Sequence, residues 1–254
     1  MYDPTLLLEH AMKHHWAIVP AFALGLTVSA SAQKPQDAVI VDPKVHNVLF
    51  ENDHVRVFEA RASHPASSPM HSHPPFVFIG LETGRVKMRL GDGKPAMLDL
   101  NPGQVMWVGD GMEHSWEMIS GKVRVIAVEV KSALKPAKGA LPAVTRKAND
   151  AVAVDPDVHN VILENDHVRV YDARAAKGRK SPMHSHPSLV FVSIGTARLN
   201  MTLPDGKNVI FDTYPGQAIW MENPEHSWEM LSGEAHVIVV EVKSAQRASK
   251  PRTD

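Results

Sequence analysis

Hydrophobic residues in this chain fall into short runs separated by turn residues. Val55-Arg56-Val57-Phe58 and Val168-Arg169-Val170-Tyr171 are β-branched and aromatic, and residues 123–130 and 236–242 are similar, a composition that fits a pleated, half-buried surface. Asp92-Gly93 and Asp205-Gly206 supply hairpin-turn chemistry between such runs, and Pro102-Gly103 and Pro215-Gly216 mark further turns. No convincing amphipathic helix follows the first 32 residues. Many short strands divided by turns predict an all-β fold, a sandwich or a closed barrel.

The pattern occurs twice. Val41-Asp42-Pro43 recurs at Val154-Asp155-Pro156, and the run from Glu51 to Val57 recurs from Glu164 to Val170. Ser68-Pro69-Met70-His71-Ser72-His73-Pro74 recurs from Ser181 to Pro187, and Glu113-His114-Ser115-Trp116-Glu117-Met118 recurs from Glu225 to Met230. The offset is about 113 residues, far longer than the roughly 20 to 50 of solenoid repeats, so a whole domain is duplicated. The two copies span 41–133 and 151–245. Residues 134–150 between them are rich in Lys, Pro and Gly and read as an exposed linker, and 246–254 as a disordered tail.

Residues 1–32 read as a leader with a signal peptide. Met12 to His15 form a short basic start, 16–28 an apolar run too short to span a bilayer comfortably, and Ala30-Ser31-Ala32 a small-residue cleavage site. Asp3 and Glu9 suit a signal peptide poorly, which points to Met12 as the true start. The expectation is an exported protein, periplasmic or secreted, with no membrane attachment after cleavage. A formal net charge of -1 offers no field to attract nucleic acid. The chain has no cysteine, which excludes disulfides and thiolate metal sites.

Histidine is abundant, at 15 residues. His71 and His73 are two apart, so on a strand they share a face. His114 follows in another strand-like segment, and an antiparallel neighbour would bring it opposite the pair. The second copy carries His184, His186 and His226 in the same arrangement. Two imidazoles side by side make a poor apolar core and a good half of a metal site, so these six are the candidate ligands. Their donors suit iron, zinc, copper or nickel without choosing among them. His46 and His159 alternate with apolar residues and point to either face, with a ligand role the lesser reading. His54 and His167 read as surface groups. Arg56 and Arg169 read as solvated strand-face arginines, with recognition of a substrate carboxylate as the alternative. Trp107 and Trp220 read as core or pocket wall. Glu113, Glu117, Glu225 and Glu229 sit at odd offsets from the histidines and read as outer-face or rim residues. Met88, Trp116, Met118, Met201, Trp228 and Met230 are candidates for an apolar pocket, and Glu82 for a carboxylate at its mouth, although the second copy has Gly195 there.

These motifs resemble the cupin superfamily, small jelly-roll β-barrels that bind a divalent metal. His71-Ser72-His73 and Gly84 match its first motif, and Gly103, Gly111 and His114 its second. In the second copy His184-Ser185-His186 matches the first, and Gly216 and His226 the second. The resemblance implies two tandem jelly-roll barrels of the bicupin type, packed as an intramolecular pseudo-dimer. It also implies one divalent metal per domain, iron, zinc, manganese, copper or nickel. The local wording is similar to small cupins associated with β-alanine degradation. The family glutamate is missing: Val77-Phe78 and Val190-Phe191 stand where it belongs, and Gly109 replaces a motif proline. The implied site is three histidines and an open position. Dioxygenase, decarboxylase, lyase and isomerase chemistry on a small organic acid all remain open, as does a non-catalytic module that binds a small molecule or metal. No residue is singled out as catalytic.

Overall fold

In the computed structural model, residues 36–134 and 146–247 are described. The expected leader lies outside them, as do 135–145 of the expected linker and 248–254 of the expected tail. No helix among the described residues is long and apolar enough to cross a membrane.

The first copy opens with one helical turn, α1 (Ala38–Val41), followed by β1 (His46–Glu51), β2 (Val55–Ser63), β3 (Ser67–His73), β4 (Phe76–Gly80), β5 (Gly84–Leu90), β6 (Pro95–Leu100), β7 (Val105–Val108) and the long β8 (Met112–Val130). The second repeats the plan with α2 (Ala151–Val154), β9 (His159–Glu164), β10 (Val168–Ala176), β11 (Lys180–Ser185), β12 (Leu189–Ser193), β13 (Ala197–Thr202), β14 (Asn208–Thr213), β15 (Ala218–Met221) and β16 (Glu225–Val242). A last helical turn, α3 (Lys243–Arg247), takes in residues 246 and 247, which the sequence assigned to the disordered tail.

Each copy is an eight-stranded antiparallel barrel organised by its longest strand. The first half of β8 pairs with β3 and β5, and its second half with β2 and β4. The change of partners falls at Gly121, which lies opposite Gly84 at φ +74°. A Cβ on Gly84 would stand 2.3 Å from the Lys122 carbonyl oxygen. The motif glycine is therefore a place where two backbones touch.

Strands β2, β4 and the second half of β8 are buried on both faces. Phe58, Phe76, Phe78, Val125 and Ala127 point into the first barrel. Val55, Val57, Val77, Ile79, Ile126 and Val128 point outward and form one continuous core with Val168, Val170, Val190, Val192, Ile238 and Val240 of the second barrel. The intramolecular pairing of the barrels thus rests on a shared apolar sheet-on-sheet interface. Its edges are reciprocal: His54 stacks on Trp220, and Trp107 stacks on His167. These four residues belong to the junction. The surface reading of His54 and His167 is corrected, because single-domain patterning carries no signal for a second barrel.

Candidate metal centres

The histidine cluster of the first barrel is assembled by three elements. β3 carries a two-residue irregularity at Pro69-Met70, between Ser68 paired with Trp116 and His71 paired with His114. Beyond it, His71 and His73 both point inward and are buried. His71 lies directly across from His114, with ring centroids 4.5 Å apart, and His73 and His114 are 5.3 Å apart. β1 adds His46, 5.0 Å from His71 and 5.8 Å from His73 between ring centroids. The second barrel repeats this with His159, His184, His186 and His226.

The ligand-capable atoms of His46, His71 and His73 lie within 4.8 Å of one another, as do those of His159, His184 and His186. Nitrogens on opposite sides of an ion with bonds near 2.1 Å stand about 4.2 Å apart, so the clusters are close to ligating size. The backbone has already chosen tautomers. Nδ1 of His71 donates to the Pro69 carbonyl at 2.7 Å and Nδ1 of His46 to the Asp42 carbonyl at 3.1 Å. His184 and His159 do the same to Pro182 and Asp155. A carbonyl only accepts, so Nδ1 holds the proton and Nε2 offers its lone pair. Nε2 of His71 and of His184 is buried without a hydrogen-bond partner, the condition expected of an atom meant for an ion.

Burial and then neighbouring histidines lower the affinity of these rings for protons. Burial, followed by His73, brings His71 to about 4 and also lowers His46. Burial, followed by His71, brings His114 to about 2, and burial, followed by His186, brings His226 to about 2. His159 and His184 are lowered by burial, and His186 falls well below the usual imidazole range for the same first reason. These rings are neutral at pH 7, the form that binds a cation.

Behind the rings lies a charged shell. Arg56 stands opposite Glu129 in the β2–β8 register and bonds both Glu129 and Asp37, the N-cap of α1. Arg169 bonds Glu241 and Asp150 in the same way and is 2 % exposed. Glu129 and Glu241 approach the Nδ1 atoms of His73 and His186 at 3.7 and 3.8 Å. Arg169 is thus buried and Arg56 partly so, both held by carboxylates, and neither lines a cavity. Asp42 serves twice, its carbonyl taking His46 and its carboxylate taking Ser68 Oγ at 2.8 Å. Asp155 does the same for His159 and Ser181, which accounts for the repeated aspartate.

Each cluster borders a small apolar cavity. In the first barrel His46, His73 and His114 meet a space of about 80 Å³ walled by Phe76, Phe78, Met88, Leu98, Leu100 and Trp116 among others. In the second, His159, His186 and His226 meet about 90 Å³ walled by Leu189, Phe191, Met201, Phe211 and Trp228 among others. Met118 and Met230 are buried in the cores and line neither cavity. Glu82 does not line the cavity itself; it lies on a surface groove with Arg61, Lys122 and Arg124 that shares Val123 with the cavity. Glu113 and Glu117 are exposed, Glu225 is held by Lys147 and Asn149, and Glu229 by Lys180.

No family model matches the chain, and no curated protein matches it. Solved structures do. A cupin 2 conserved barrel domain protein from Leptotrichia buccalis aligns over 78% of this chain and 88% of its own, at 11% identity and a TM-score of 0.50. The protein YhaK from Escherichia coli aligns over 79% and 88%, at 12% identity and a TM-score of 0.50. A Bacillus subtilis oxalate decarboxylase described for its Mn(II) centres aligns over 76% and 69%, at 14% identity and a TM-score of 0.47. The fold is that of the cupins, and this chain holds two such barrels in tandem. Likeness at these identities settles architecture and leaves the chemistry to the site itself.

Proposed function

We propose that each barrel binds one divalent transition metal through inward histidines, and that at least one of the two centres is an enzyme site for a small organic acid. His46, His71, His73 and His114 are the donors available in the first barrel, and His159, His184, His186 and His226 in the second. The observation that carries the reading is the set of three buried histidines in each barrel whose ligand-capable atoms lie within 4.8 Å of one another, with Nε2 of His71 and His184 unpartnered and His114 and His226 beside them. All-imidazole donors favour iron, zinc, copper or nickel over magnesium and calcium. A bound ion would supply Lewis acidity at an open coordination position.

The surrounding residues define what it would act on. A cavity of 80 to 90 Å³ is roughly half the 150 Å³ apolar cavity that holds benzene, which limits a ligand to about three or four non-hydrogen atoms inside it. Its walls are phenylalanine, leucine, methionine and tryptophan, which exclude water and receive an apolar body. An anionic head therefore belongs at the histidine end. Phe78 and Phe191 line the cavities where a cupin glutamate would stand, so the donor set itself is uncharged. No carboxylate, lysine or tyrosine lines either cavity among the described residues. That disfavours reactions needing a protein acid–base pair. It favours oxygen-dependent or simple Lewis-acid chemistry, dioxygenase or decarboxylase before lyase or isomerase.

The same absence supports the second reading, a module that binds a small acid or metal without turning it over. Export of the mature chain belongs to this proposal and rests on the composition of residues 12–32. The narrower likeness to cupins associated with β-alanine degradation suggests a class of small acids to include in the trial. The test is oxygen uptake and product formation by the metal-loaded chain across small carboxylic and enediol acids. Turnover abolished in the His114→Ala, His226→Ala double variant supports the enzyme. Tight binding with no turnover in the intact chain selects the module.

A further inference from the structure

One difference between the barrels lies within the shell directly behind the His-x-His pair. Tyr171 and Phe58 occupy equivalent places, Tyr171 paired with Val239 and Phe58 with Ala127. Both are buried, and both stack on the last histidine of the His-x-His pair at nearly the same tilt, 16° and 15°. The Tyr171 hydroxyl lies 2.6 Å from His186 Nδ1, and the Glu241 carboxylate lies 3.8 Å from that same nitrogen. Arg169 gives Glu241 two N–H bonds, which marks that group as a carboxylate and hence an acceptor. With an acceptor-only carboxylate beside the pair, the geometry favours a hydroxyl proton turned toward Glu241 and His186 Nδ1–H donating to the Tyr171 oxygen. Nε2 of His186 is left with its lone pair toward the cluster.

In the first barrel Phe58 has no hydroxyl. His73 Nδ1 and Glu129 Oε1 are both buried and both lack a hydrogen-bond partner. At 3.7 Å they are too far apart to serve each other. The Nδ1 atoms of His46, His71, His159 and His184 all meet carbonyls, so those rings are held alike in both barrels and His73 and His186 are not.

We infer that Tyr171 is a positioning residue for His186, fixing its tautomer and ring through the Glu241 relay, and that the second barrel is consequently the tighter metal site. The inference rests on the proposed metal reading for its second half only. Hydrogen bonds from a ligand histidine to an outer acceptor are worth about 10- to 100-fold in metal affinity. The relay in the second barrel is complete, and in the first its middle member is missing.

Two readouts on the full chain test it. Long-range proton–nitrogen correlation of the metal-free protein reports tautomers directly. His186 is expected as the Nδ1–H form in the wild type and as a mixture in Tyr171→Phe, with His184 unmoved. Cobalt(II) titration then compares two single-site chains, one carrying His71→Ala and His73→Ala, the other His184→Ala and His186→Ala. The chain retaining the second-barrel site is expected to bind about 10-fold or more tightly, and Tyr171→Phe should erase the difference. Phe58→Tyr in the other chain should strengthen its site. An unchanged His186 tautomer in Tyr171→Phe overturns the positioning role, whatever the metal result. Equal cobalt affinity in the two single-site chains overturns the ranking, and absence of binding in both defeats the metal reading while the tautomer readout still decides the role of Tyr171.

Discussion

His54 of the first barrel lies flat on Trp220 of the second, with ring centroids 5.8 Å apart and planes 15° from parallel. The opposite pair, Trp107 and His167, stacks at 5.9 Å and 22°. Arg124 adds a bond from Nη2 to the Pro215 carbonyl at 3.0 Å. A reciprocal interface of this kind is what a symmetric dimer builds from two chains, and here the covalent chain supplies both halves.

Shortening Trp107 or Trp220 to alanine should therefore loosen the junction and leave the barrels standing. Because each tryptophan is half-buried, a loss of about 2 kcal/mol per site is expected, below the 3 to 5 typical of a full core position. Urea unfolding checks this. The wild type is expected to unfold in one transition and the double variant in two, as the barrels uncouple.

Arg169 sits between two carboxylates with 2 % of its surface exposed, whereas Asp37, one partner of Arg56, has a side chain 29% exposed. Removing a partner from a buried ion pair costs about 3 to 5 kcal/mol, because the charges left behind have no solvent. Arg169→Met should reach that range by strandng Glu241 and Asp150, and Arg56→Met should fall below it. Denaturant midpoints of the two variants give the comparison.

Acid should destabilise the metal-free protein in a defined window. Imidazole in the unfolded chain titrates near 6.5, while His71 is held at about 4 and His114 and His226 at about 2 when folded. Between those values the unfolded state binds more protons, so stability rises with pH there. The contribution is complete above about 6.5 and drains away as pH falls toward 4 and beyond. Urea midpoints should be level between pH 7 and 8 and fall steadily from pH 6.5 to 5. A midpoint indifferent to pH over that interval would show the rings are not buried neutral.

The strands and turns were legible because hairpin signals and β-branched runs act locally, and the duplication fixed the domain plan. The inward face shared by His71 and His73 follows from strand period alone. His46 was harder. β1 changes register between Val48 and Phe50, so alternation along the strand says nothing reliable about its first residue. The shell behind the rings did leave a trace: Glu129 interrupts an apolar run in one copy and Glu241 in the other, each opposite an arginine in a Val-Arg-Val segment. A charge in a strand buried on both faces demands a partner. The inter-barrel stacking of His54 and His167 had no such trace, since the second barrel's surface is invisible from within the first.

X-ray absorption at the metal edge of the zinc-loaded full chain tests the central claim most directly. The account predicts a nitrogen shell at about 2.0–2.1 Å with the outer scattering of several imidazole rings, weakened when His71 and His184 are both replaced by alanine. A shell of oxygen alone, or a spectrum unchanged by that double replacement, would contradict it.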